Sequence, residues 1–153
     1  MIFAKSMLFR YYVLKSNSVK AVEIGSELYQ SKLTNNFDFD KLSIFPKLRY
    51  LSYQLLYKQM QSDFDSFLAY KQFLLDYCEK NIGNWTLFEK RVAFYNIADV
   101  FNMTNADYAS IEKLKATFKE LIDALPKIMK ENSLESLILY FQENASIKLR
   151  NLK

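Results

Sequence analysis

The chain should fold entirely from α-helices. Apolar residues recur along it in amphipathic segments roughly twenty residues long, the spacing of helical faces. Only two glycines and two prolines interrupt these segments, and there is no histidine among the 153 residues. That pattern describes a stack of helices better than a catalyst.

The first helix is expected over Ile2 to Lys15, where Phe3, Met7, Tyr11 and Leu14 recur along one face. Ser16-Asn17-Ser18 ends it. Ser18 then caps a second helix with Val19, Val22 and Leu28 as a weaker stripe and Gly25 inside it. Thr34 to Asp40 is a polar connection rich in Asn and Asp, which favour turns. Pro46 is tolerable only in a first turn, so the third helix starts near Ser43 or Ile44 and runs to about Met60, burying Leu48, Leu51, Leu55 and Leu56.

Asp63 or Asp65 caps a fourth helix, to about Lys80, with Phe64, Phe67, Leu68, Leu74 and Leu75 inside. Gly83-Asn84 breaks it, and a fifth helix spans Trp85 to Phe101. Thr104 or Asn105 opens a sixth, whose Tyr108, Ile111, Leu114, Phe118, Leu121 and Leu125 form the cleanest stripe, until Pro126. A seventh runs from about Ser133 to Leu149, with Leu134, Ile138, Phe141 and Ala145, and ends in the basic Lys148, Arg150 and Lys153. Helix starts about twenty residues apart imply antiparallel hairpins, hence a single all-α domain over residues 1–153. An α-solenoid of the tetratricopeptide type is the first choice and a compact helical bundle the second.

Composition narrows the function. The net charge of +4 is modest and scattered, which does not mark a face for nucleic acid. The single Cys78 rules out an internal disulfide framework and suits a reducing cytoplasm. Lys5 and Arg10 interrupt the first apolar run, so it reads as a helix rather than a signal peptide, and no charge-free run is long enough to span a membrane.

Without histidine there is no imidazole base and no imidazole metal ligand, and one cysteine cannot build a thiolate zinc site. Gly25 and Gly83 stand alone, so there is no phosphate loop. Asp38 and Asp40, like Asp63 and Asp65, precede helices and read as caps, and Cys78 reads as core. Neither a metal, a cofactor nor catalysis is expected.

The fifth helix is unlike the others because two faces want partners. Leu87, Phe94, Ala98 and Phe101 form an apolar face, and Trp85, Glu89, Val92, Asn96 and Asp99 form a mixed row opposite it. A carboxamide can pair with a peptide's amide and carbonyl at once, and an aromatic can cover its apolar side chains, so the row suits the inner wall of a peptide groove. The same residues also read as solvated charges around a core tryptophan.

The run from Leu74 through Ile122, above all Asn84-Trp85-Thr86-Leu87-Phe88-Glu89 followed by an apolar helix with Asn96, resembles the C-terminal region of the Rgg/GadR/MutR transcriptional regulators. The resemblance is specific at Trp85, Phe88 and Glu89 and elsewhere follows the order and length of the helices. Asn96 stands one residue later than the family's usual asparagine, with Tyr95 in that place. The resemblance implies a helical-repeat sensor that binds a short peptide in a concave groove, forms homodimers and controls transcription through an attached or partner DNA-binding unit. This chain has no room for a helix-turn-helix ahead of its first helix. The helical row and the resemblance together give the peptide-contact set Trp85, Glu89, Val92, Tyr95, Asn96 and Asp99. The alternative is an all-α interaction or inhibitor protein of the kind carried by phages and mobile elements, which would carry an exposed apolar patch instead of a groove.

Overall fold

A computed structural model describes residues 2–30, 41–125 and 134–141, and within them every regular element is a helix. The elements are α1 (Ile2–Leu14), α2 (Ser18–Tyr29), α3 (Ile44–Met60), α4 (Phe64–Asn81), a 3-10 turn η1 (Ile82–Asn84), α5 (Leu87–Met103), α6 (Tyr108–Thr117) and α7 (Lys119–Asp123). A further helical stretch, α8, covers 134–141. Thr34 to Asp40, Pro126, Ser133 and the basic tail lie outside the described residues.

The expected helices are present, with displaced boundaries. Asn17 rather than Ser18 caps α2, its Oδ1 accepting from the Lys20 amide at 3.2 Å. Asp63, not Asp65, accepts from the Ser66 amide at the start of α4. The expected sixth helix is two, α6 and α7, broken at Phe118 (φ −99°, ψ 31°), and its cap is Asp107 rather than Thr104 or Asn105. Thr104 instead ends α5, its hydroxyl donating to the Val100 carbonyl at 2.8 Å. The Val100 carbonyl also accepts the Thr104 amide at 3.0 Å, so the hydroxyl adds a second bond to the last turn.

Three corners between helices place a non-glycine residue in the left-handed region: Ser16, Ser62 and Asn105. At Ser16 the Asn17 amide donates to Tyr12 and the Ser16 amide to Val13. At Asn105 the Ala106 amide donates to Phe101 and the Asn105 amide to Asn102. These paired reverse bonds form the Schellman arrangement, usually built on glycine because a side chain costs about 1 kcal/mol there.

Contacts group the chain into two compact units, Met1–Tyr70 and Lys71–Lys153. In the first, α1, α2 and α3 pack on one another around Phe9, Ala21, Leu28, Leu48, Leu55 and Leu56. Gly25 is the point of closest approach: a Cβ there would stand 2.4 Å from Tyr57 Cδ1. Tyrosines lace this core, since each buried ring needs a partner for its hydroxyl. Tyr29 donates to the Tyr50 carbonyl at 2.8 Å, Tyr50 to the Leu28 carbonyl at 3.1 Å and Tyr70 to the Leu51 carbonyl. Burial, followed by the neighbouring Tyr70, Tyr50 and Tyr53, pushes the Tyr29 hydroxyl pKa well up.

The second unit packs around α5. Phe94 meets Phe118 edge to face at 5.4 Å and Phe141 at 5.2 Å. Lys90 on α5 reaches Glu120 on α7 at 3.1 Å. At the start of α6, Asp107 takes Lys71 and the Ser110 hydroxyl and amide, and Lys71 foremost holds its carboxyl well below the usual range. A depressed carboxylate pKa contributes stability above the unfolded value near 4 and loses it as pH falls through the folded one. Asp107→Asn is therefore expected to melt below the parent at pH 7. The gap should narrow as pH drops under about 4, followed by thermal denaturation across pH. A gap that is constant with pH would mean that the charge is irrelevant.

Candidate functional site

The peptide-contact row of the fifth helix was expected to face an open groove, and the structure puts most of it inside. Every residue from Val92 to Phe101 is buried. Val92, Tyr95, Asn96 and Asp99 are 0, 7, 1 and 6% exposed. The second face that periodicity leaves unpartnered is thus covered by protein from Val92 onward, because α5 between Val92 and Phe101 is apolar on nearly every side apart from the short polar Asn96 and Asp99.

Each member of the row has a local role. Trp85 is not on the helix, as expected, but ahead of it in extended backbone (φ −96°, ψ 142°). Its ring stacks on Phe118 at 6.5 Å and leans on Tyr77 at 6.2 Å. Glu89 closes a capping box: its Oε1 accepts from the Thr86 amide at 2.9 Å while the Thr86 hydroxyl accepts from the Glu89 amide at 3.2 Å. Thr86-Leu87-Phe88-Glu89 is the sequence signature of that box, and it was the overlooked signal that this carboxylate belongs to the helix. Asn96 turns back on its own helix, Nδ2 donating to the Val92 carbonyl at 2.9 Å. Its Oδ1 is buried with no hydrogen-bond partner. A buried acceptor left open costs about 1–3 kcal/mol, so this atom retains capacity for a further hydrogen bond.

Elsewhere the chemistry is sparse. Among the described residues no group of three or more His, Cys, Asp or Glu side chains could hold a metal. Cys78 is a buried free thiol whose pKa burial pushes far up, the opposite of a reactive thiolate. No described helix is long and apolar enough to cross a membrane.

The exterior carries a feature that the sequence reading missed. α1 packs Phe9 and Ser6, both 0% exposed, into the first unit. On the opposite side Met7, Leu8, Tyr11 and Leu14 are 39, 44, 52 and 55% exposed, and Ala4 and Lys15 are exposed with them. At 100° per residue these positions share one arc. Met7 receives an Arg49 guanidinium N–H at the arc's edge, and Lys15 Nζ lies 5.8 Å from the centre of the Tyr11 ring. Met7, Tyr11 and Leu14, which the spacing places on one face of the first helix, thus form an exposed face. The signal was available, since IFAKSMLFRYYVL has almost no polar side and a surface helix should have one.

No protein-family model, no curated protein and no solved structure matches the chain. Fold and site therefore define an all-α chain whose most distinctive surface is apolar.

Proposed function

We propose that the chain is a non-catalytic regulatory domain that acts by binding another protein through the outer face of α1. The observation that carries this reading is the exposed arc of Met7, Leu8, Tyr11 and Leu14 opposite the packed Phe9. Scattered exposed apolar residues are ordinary, but a helix apolar on both its core and its solvent side loses free energy unless something covers it. A lone buried cysteine agrees with a cytoplasmic setting.

A second reading, favoured by the open Oδ1 of Asn96, is a peptide sensor of the Rgg kind. In it the helices form a solenoid of hairpins, the domain is a homodimer, and a short peptide contacts the α5 row. Because that row is enclosed, the peptide would bind a minor, opened arrangement, and its apparent affinity would fall in proportion to the opened fraction.

One experiment separates the readings. A photo-cross-linking phenylalanine analogue is placed at Leu14, at Tyr95 or at exposed Glu112 as control, the protein is irradiated in cells, and adducts are identified by mass spectrometry. A defined protein adduct from Leu14, absent from Glu112, is the expected result. A short-peptide adduct from Tyr95 with none from Leu14 would replace it with the sensor reading.

A further inference from the structure

We infer that the outer face of α1 docks an acidic amphipathic helix of a partner protein, an inference that rests on the reading above and names the partner's chemistry. Ala4, Met7, Tyr11 and Leu14 follow a three-four-three spacing, the seam against which a second helix lays its own apolar ridge. Ala4 is small enough to let that helix approach, and Leu8 and Lys15 border the seam on one side, each four residues beyond a seam position. A strand or a loop has no matching periodicity.

Charge selects the sign of the partner. No acidic residue precedes Glu23, while Lys5, Arg10, Lys15 and Lys20 all fall in that stretch. Lys5 is answered by Glu27 at 3.2 Å. Lys15 stands at the border of the seam, over the Tyr11 ring, and α1 itself carries no carboxylate to meet it. A partner with Glu or Asp flanking its apolar ridge gains there, and one with Lys or Arg is repelled. A second copy of α1 would bring cations against cations. A helix lying in a lipid surface keeps its polar side to water, whereas the other side of α1 is Phe9 in the core.

The test uses the whole chain and a labelled peptide of about three heptads with leucines at the seam positions and glutamates beside them, compared with the same peptide carrying lysines. Fluorescence anisotropy at low salt should show the acidic peptide binding at least about tenfold tighter than the basic one. Replacing Tyr11 and Leu14 together by serine should weaken that binding at least about tenfold with unchanged helicity, both side chains being half exposed. Lys15→Glu should shrink the preference between the peptides. Equal binding of the two peptides, or binding indifferent to the serine pair, overturns the inference. So does self-association or adhesion to phosphatidylserine vesicles that the serine pair abolishes while neither peptide binds. If Leu14 cross-links a protein whose contacting segment is not an acidic helix, the protein-binding reading stands and this inference alone fails.

Discussion

Phe94→Ala should destabilise the second unit by about 3–5 kcal/mol. Its ring is fully buried on α5 and meets two others edge to face, Phe118 at 5.4 Å and Phe141 at 5.2 Å. Each such pair is worth about 0.5–1.5 kcal/mol beyond the area it buries. The cavity term adds to this, because the neighbours belong to separate helices that cannot all collapse inward. Against a typical total of about 5–15 kcal/mol, the loss leaves the unit marginal. Trp85 is the only tryptophan and stacks on Phe118, so its fluorescence in a urea titration reports the unit directly. A midpoint shift equivalent to less than about 1 kcal/mol would show that the ring cluster does not hold the helices.

Gly25→Ala should be destabilising even though alanine favours a helix interior by about 1 kcal/mol over glycine. The added carbon would fall 2.4 and 2.8 Å from Tyr57 Cδ1 and Cε1 and 3.0 Å from Phe9 Cε2. Neither ring is a loose end. Tyr57 is 3% exposed, shares a 3.0 Å hydrogen bond with Ser26 and packs on Tyr29, and Phe9 is fully buried. Relief therefore requires α2 to move off α1 and α3, and overpacking of that kind costs about 1–3 kcal/mol, more than the helix preference returns. Valine at the same position should prevent the first unit from closing. Thermal melts followed by circular dichroism decide the sign, and an alanine variant more stable than the parent would mean that the close approach relaxes freely.

The helices themselves were legible because period and punctuation agreed. Pro46 does sit in the first turn of α3, and the stop around Gly83-Asn84 is the turn η1. The break at Phe118 was not legible, because Leu114, Phe118 and Leu121 keep an unbroken stripe and only tertiary packing decides that the backbone kinks between them. The burial of the α5 row was not legible for a related reason. Periodicity says which residues share a face, yet cannot say whether that face meets water, a ligand or another helix. Asn96 and Asp99 looked like groove residues because polar side chains are seldom interior, and here two of them are. On α1 the same limit works in the opposite direction: the face that Met7, Tyr11 and Leu14 share is the exposed one, and Phe9, outside that face, is the buried residue.

At Ser16, Ser62 and Asn105 the backbone adopts a conformation that these residues resist and that glycine would accept freely. The corners where one helix gives way to the next are consequently not encoded by the corner residues but imposed on them by what the flanking helices bury. A peptide cut out around any one corner should thus forget its bend.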